Sequence, residues 1–369
     1  MSFRSIDPNL ATLGVTETDV EWISSHDPRF SLHGVMFDEE MGLYTRVPRK
    51  VAESVSKSVA TLSLRLSGGR LRFVSDSPYI AVRASMPAFM PLTNISITAS
   101  HGFSVFVDGK FRQRLSPSAN TFFESGIDYS APLTSRIRFA ESKETLDARE
   151  SGEHLYEIYF PIFGGIAELY VGVKEGSVIK PAPKYKHELP MLFYGSSIMQ
   201  GAGASRPGAD FASIIANWLG SDFINLGFSG SGNAEPEILD YINSIDASLY
   251  AYDYNLYDSR PNRVLPPHYD IYRKLRDSHP DAAILLYDKP AYDHDSTFER
   301  RRDIIRATYE RARSEGDENI FLVEATELFC GLDPGLCIVD ASHPSDLGSM
   351  NMATAMYNKI KGYFEKKIQ

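Results

Sequence analysis

The rhythm of the apolar residues changes once along this chain, and the change limits the folds open to it. Between about residues 58 and 175, short runs alternate apolar with polar residues, the period of strands with one buried face. Beyond Pro181-Ala-Pro-Lys-Tyr-Lys186, a proline-rich charged stretch without period, short apolar runs alternate with helical stretches instead. A chain of 369 residues also exceeds what one hydrophobic core usually supports. Two domains are therefore expected, residues 1–183 and residues 184–369.

In the first part, Leu62, Leu64 and Leu66 alternate with polar residues and Gly68-Gly69 turns the chain into Leu71 and Phe73, which predicts a hairpin. Alternation resumes in Tyr79 to Ala84, in Phe103 to Val107 closed by Asp108-Gly109, and in the paired runs Leu155 to Phe160 and Ala167 to Val173. Many short strands and tight turns predict an all-β sandwich. In the second part, apolar runs at Met191 to Tyr194, Phe223 to Leu226, Ser248 to Tyr252, Ala282 to Tyr287 and Ile320 to Val323 predict five parallel strands. Helices are expected at Ala209 to Leu219, Glu235 to Ile242, His268 to Arg276, Thr297 to Ala312 and Leu347 to Phe364.

Composition excludes several function classes. A formal charge of −10 repels phosphate backbones and anionic lipid headgroups, so neither nucleic acid nor a membrane is an expected partner. The opening MSFRSIDPNL lacks an apolar core, and no run reaches the about 18 apolar residues of a membrane span, so a cytoplasmic protein is expected. Cys330 and Cys337 are too few for a disulfide framework and lack zinc-site spacing. Two loop thiols is the favoured reading; a bond between them would instead tether the turn just before Asp340. His268, His279 and His294 show no metal spacing and read as solvent-facing or structural. Gly201-Ala-Gly203 precedes a helix, yet no third glycine or Gly-Lys-Ser/Thr follows, which argues against a nucleotide site.

One block carries chemistry. Leu192-Phe-Tyr-Gly-Ser-Ser-Ile-Met-Gln-Gly201 runs from a buried strand into a Gly-bounded turn, the place where open parallel sheets bind ligands. A serine hydroxyl reacts only when a base takes its proton. Asp340-Ala-Ser-His343 supplies one: the Asp340 carboxylate can bond one ring nitrogen of His343 and leave the other for Ser197. The oxyanion of a tetrahedral intermediate also needs donors. Gly230, after the second strand, can present an unshielded N–H, and Asn255, after the third, an amide. Each residue also has a bland reading: Gly195-Ser-Ser as an ordinary turn, Gly230 as a hinge, Asn255 as a turn residue, Asp340 and His343 as a surface turn.

Taken in order, the four blocks resemble those of the SGNH/GDSL hydrolase family over roughly the second half of the chain. The similarity implies a flavodoxin-like three-layer α/β/α domain following a jelly-roll-like β-sandwich. It implies Ser197 as nucleophile, the Ser197 N–H with Gly230 and Asn255 as oxyanion hole, Asp340 and His343 as the assisted base, and neither metal nor cofactor. Some positions depart from the family pattern: Ser196 stands where its Gly-Asp-Ser block has Asp, Met199 where it has a small hydroxyl residue, Asp253 where the third block has glycine, and Leu256 where it has Asp. The Tyr-Gly-Ser-Ser-Ile block, Arg206-Pro-Gly208 and His343-Pro-Ser-Asp-Leu-Gly348 are similar to the subgroup with an N-terminal β-sandwich.

The expected reaction is hydrolysis of carboxylic esters, with short O-acyl groups on a carbohydrate as the first substrate class by association with the sandwich. Arg206 and Tyr254 are candidate substrate contacts, and homo-oligomerisation is open. An acyltransferase using the same triad and a non-catalytic carbohydrate-binding protein are the alternatives.

Overall fold

The computed structural model describes residues 15, 17–87, 95–116, 136–138, 142–145, 152–253, 267–290, 296–329, 333–340 and 342–367. They divide into two compact units. One comprises Met1–Arg46, Leu64–Lys184 and Ser205–Gly208; the other comprises Val47–Ser63, Tyr185–Ala204 and Ala209–Gln369.

The first unit is mostly β. Strands β1 (Val20–Ser24), β2 (Ser31–His33), β3 (Met36–Asp38), β4 (Leu43–Thr45), β5 (Arg70–Ser75), β6 (Tyr79–Pro87), β7 (Phe103–Val107), β8 (Lys110–Leu115), β9 (Arg136–Arg138), β10 (Ser142–Thr145), β11 (His154–Tyr159), β12 (Glu168–Lys174) and β13 (Ile179–Pro181) form two main antiparallel sheets and a small β3–β4 ribbon. One sheet runs β1-β12-β6-β10, with β9 also on β6; the other runs β13-β5-β11-β7-β8, with β2 also on β5. Both contribute to one core, in which Leu71, Phe73, Val105 and Ile158 of one sheet meet Ile80, Val82, Val171 and Val173 of the other. The β7–β8 hairpin turns through Asp108 and Gly109, both at positive φ (50° and 74°), the geometry for which an Asp-Gly pair is suited.

The structure departs from the sequence expectations in two places. Leu62 is not in a hairpin: residues Arg49–Val55 and Lys57–Ser63 are two short helices. Val51, Val55, Val59 and Leu62 recur at helical intervals and pack into the core of the second unit, which outweighs the brief Leu62/Leu64/Leu66 alternation. Gly68-Gly69 still turns the chain into β5, with the Gly69 N–H donating to the Leu66 carbonyl at 2.8 Å. The runs around β11 and β12 are strands, but they lie in different sheets. The link between them has no two-residue turn; its buried Ile162 and Ile166 carry it from one sheet to the other.

The second unit is α/β. Strands β14 (Met191–Gly195), β15 (Phe223–Gly227), β16 (Leu249–Asp253), β17 (Ala283–Tyr287) and β18 (Ile320–Val323) are parallel, in the order β15-β14-β16-β17-β18. Four of the five read as near-continuous buried runs, as expected of a sheet covered on both faces. Strand order reverses around β14, so the crevice at its C-terminal end is the natural place for a ligand. The expected helices are present at Phe211–Leu219, Pro236–Asn243, His268–Ser278, Ser296–Ser314 and Asp346–Lys366. Tyr250 and Tyr252 of β16 are core residues. Cys337 is a buried free thiol; Cys330 and His294 lie outside the described residues. Among the described residues no helix is long and apolar enough to cross a membrane.

His101 in the first unit and His268 in the second are buried, and desolvation, followed by a nearby arginine (Arg65 and Arg301 respectively), pushes each imidazole from 6.5 down to about 3. An unfolded imidazole takes up its proton near 6.5 while the folded one resists until about 3. Stability present above pH 6.5 is therefore lost as pH falls through that window. At pH 5.5 each such histidine costs roughly 1.4 kcal/mol. Replacing His268 by Gln is expected to shrink the fall in Tm between pH 7.5 and 5.5 by about 3 °C; an unchanged fall in a calorimetric scan would show that His268 is not the source.

Candidate active site

Strand β14 ends at Gly195, and Ser196 begins a single helical turn, Ser197–Gln200. The Ser196 side chain accepts from the Ile198 N–H, and Gly201 closes the turn in the left-handed conformation. Ser197 is thus the first helical residue, and its N–H has no intrahelical acceptor. Two side chains anchor this turn to β15 and to the loop after it. Asn225 Nδ2 donates to the Met199 carbonyl at 2.8 Å, and Gln200 Oε1 accepts from both the N–H (2.9 Å) and the hydroxyl (2.8 Å) of Ser229. The Phe228 N–H donates to the Gly195 carbonyl at 2.8 Å. Gly230 follows at φ 65° with open space where a side chain would stand, and its N–H has no hydrogen-bond partner among the described residues.

The histidine comes from the other end of the unit. Ile338–Asp340 and Ser342–Pro344 are drawn together by an Ile338–Pro344 bridge and by the Val339 N–H donating to the His343 carbonyl at 2.9 Å. Asp340 Oδ1 accepts from the N–H groups of Ser342 and His343, both at 2.9 Å, while Oδ2 lies 2.7 Å from His343 Nδ1. Those backbone bonds hold the carboxylate where it can orient the ring. His343 Nε2 is 2.8 Å from Ser197 Oγ. The His343 and Asp340 side chains keep 19% and 31% of their exposure, so solvent and a substrate can reach the pair.

The loop comes this close because of Gly203. Its φ is 93°, and a Cβ there would sit 2.3 Å from the Pro344 carbonyl oxygen. The Gly201-Ala-Gly203 stretch is thus a close-packing device beside the histidine loop. Immediately after that loop, Ser345 caps the last helix, and its N–H and hydroxyl hold the Cys337 and Leu336 carbonyls at 2.8 Å.

Sequence reading thus placed Ser197, Asp340 and His343 in positions that the fold brings together. Gly230 lies on the loop tied to the Ser197–Gln200 turn. Asn255 and Tyr254 lie outside the described residues. Arg206 belongs to the first unit, where its guanidinium lies 3.6 Å from the ring centroid of Phe111 and 5.6 Å from that of Phe106. Gln200, Asn225 and Asp253 were not singled out as site residues. The two amides were missed because each acts on backbone groups distant in sequence. Among the described residues no three His, Cys, Asp or Glu side chains are grouped to hold a metal ion.

A hydroxyl bonded to an imidazole that is itself bonded to a carboxylate, beside open backbone N–H groups, is the arrangement of a serine acyl-transfer centre. The sequence comparisons agree in class. Residues 188–361 match the GDSL-like lipase/acylhydrolase family, and the chain belongs to the SGNH/GDSL-type esterases. Within them it carries a further module: residues 20–179 match the N-terminus of SGNH-hydrolase-type esterases.

Solved structures show the same fold across both units. A protein from Bacteroides ovatus ATCC 8483, described as a GDSL-like lipase, is 24% identical with a TM-score of 0.71, covering 95% of this chain and 98% of its own. The salicylyl-acyltransferase SsfX3 from a tetracycline biosynthetic pathway is 19% identical at 0.71, covering 96% and 100%. A family two carbohydrate esterase from Clostridium thermocellum, in complex with cellohexaose, is 16% identical at 0.57, covering 81% and 93%. A search of curated proteins returns no match.

Gly203→Ala is expected to lower kcat about ten- to a hundredfold, because the added methyl pushes the His343 loop from Ser197 and misplacement by an ångström costs that much. Steady-state kinetics on a variant that retains its circular dichroism spectrum checks this, and a wild-type kcat would refute the close-packing role.

Proposed function

We propose that this esterase hydrolyses short O-acyl esters, acetyl first among them, of a carbohydrate or related polyhydroxylated compound through an acyl-enzyme on Ser197. The single observation that carries the mechanism is the continuous chain of hydrogen bonds from Ser197 Oγ through His343 to Asp340, at 2.8 and 2.7 Å. In this reading His343 Nε2 takes the hydroxyl proton as Oγ attacks the ester carbonyl, and Asp340 fixes the tautomer and stabilises the imidazolium. The oxyanion is met by the N–H groups of Ser197 and Gly230, with the Asn255 amide as the third donor. His343 then protonates the leaving alcohol, and water, activated in turn by His343, releases the acid. Arg206 and Tyr254 are the proposed substrate contacts.

Two observations support a polar substrate. Structural neighbours include the cellohexaose-bound carbohydrate esterase and an acetyl xylan esterase from Butyrivibrio proteoclasticus. Beside the Gly230 loop lies an open recess of about 360 Å³ lined by Lys57, Ser58, Thr61, Leu62, Ser229 and Ser231, four of which carry a hydroxyl that can bond a polar substrate. The likeness to SsfX3 over 96% of the chain favours one second reading, transfer of the acyl group to an acceptor alcohol by the same residues.

The test is hydrolysis of p-nitrophenyl acetate and butyrate by the wild type, Ser197→Ala and His343→Ala. The wild type is expected to prefer acetate, and both variants to lose at least about a thousandfold in kcat. Retained activity in either variant would refute the assignment. Product analysis with acceptor alcohols present separates hydrolysis from transfer.

A further inference from the structure

Directly behind the nucleophile turn lies a charged side chain that the acyl-transfer chemistry leaves unused. Asp253 ends β16, next to Gly195 in register, and its side chain is 0% exposed. A carboxylate taken wholly out of water survives only with close partners. Asp253 has two: the Arg301 guanidinium from the helix Ser296–Ser314, which pairs with Oδ1, and the Ser196 hydroxyl, which donates to Oδ2 at 2.9 Å. Burial pushes the Asp253 carboxyl up, but Arg301, Lys289 and these hydrogen bonds outweigh it and hold it below the usual range.

The consequence falls on Ser196. A serine cap ordinarily has a hydroxyl free to rotate; here the proton is committed to Asp253, so the oxygen is left facing the Ile198 N–H, from which it accepts at 3.3 Å. Donation to a carboxylate also makes that oxygen a stronger acceptor. The start of the turn, and with it the direction of the Ser197 N–H and Oγ, is therefore locked. A lone negative charge behind the site would oppose the oxyanion that develops in front of it. Arg301 cancels that charge; it also lies 3.4 Å from Asp288, which Arg302 approaches at 3.4 Å in turn.

We propose that Asp253, acting through the Ser196 hydroxyl, is a positioning residue that locks the nucleophile turn in its reactive geometry. The inference rests on Ser197 being the nucleophile.

The full-length chain is tested as Ser196→Ala, Asp253→Asn and the double variant. Each is read by kcat and KM for p-nitrophenyl acetate, by the rate at which a fluorophosphonate labels Ser197, and by thermal melting. Ser196→Ala removes one oxygen atom and is expected to fold. It should lose about ten- to a hundredfold in both kcat and labelling rate, with KM within about twofold of wild type. The double variant should be no slower than the slower single variant, because both substitutions break one linkage. Ser196→Ala at wild-type kcat, or losses that multiply in the double variant, would overturn the proposal and leave Asp253 only as the counter-charge of Arg301. A wild-type chain that neither turns over nor labels would sink the nucleophile assignment first, and this inference with it.

Discussion

Two side chains 146 residues apart in sequence stand 2.8 Å from each other, and the chemistry depends on that distance being kept. No local interaction can enforce it. The parallel sheet does so by placing β14 at the point where strand order reverses, so that the turn carrying Ser197 opens into the crevice at the strand ends. From the opposite end of the sequence, the loop at 338–344 is closed on itself by its own backbone bonds before it meets that turn. Gly203 then leaves room for their approach, since a Cβ there would lie 2.3 Å from the Pro344 carbonyl oxygen. Each element is rigid for its own reasons, and the hydrogen bond between them is a result of the packing rather than its cause.

Support for the turn that carries Ser197 comes from buried polar groups rather than from the apolar core alone. Asn225, Gln200 and the Asp253–Ser196 pair hold backbone carbonyls, the Gly230 loop and the helical cap. Such groups are costly to bury unless they are fully partnered, and once partnered they admit few alternative arrangements. That trade of stability for a single geometry is what a site working to tenths of an ångström requires.

Much of this was legible in the sequence because it was written in local patterns. Buried parallel strands are nearly continuous apolar runs, so Met191 to Tyr194 and Ala282 to Tyr287 could be read directly, and the Gly-bounded serine and the Asp-x-x-His block are short and contiguous. What failed was long-range. Leu62 to Leu66 alternates over too few residues to exclude a helix, and nothing local shows that Arg49 to Ser63 packs against the second unit. The runs around β11 and β12 resemble a hairpin unless the buried link between them is recognised as a crossover. Ser196 and Asp253 were visible as two separate departures from a family pattern; only the fold shows that they touch. The sheet order and the way Asp340 holds its loop also needed coordinates, because both depend on which backbone groups meet.

The central claim, that Ser197 carries the acyl group, is tested most directly by trapping it. Acid quenching during turnover of p-nitrophenyl acetate, followed by peptide mass mapping, should find one acetyl group on the peptide containing Ser197 and none in the Ser197→Ala protein. An acetyl group on another residue, or full turnover by Ser197→Ala, would contradict the account.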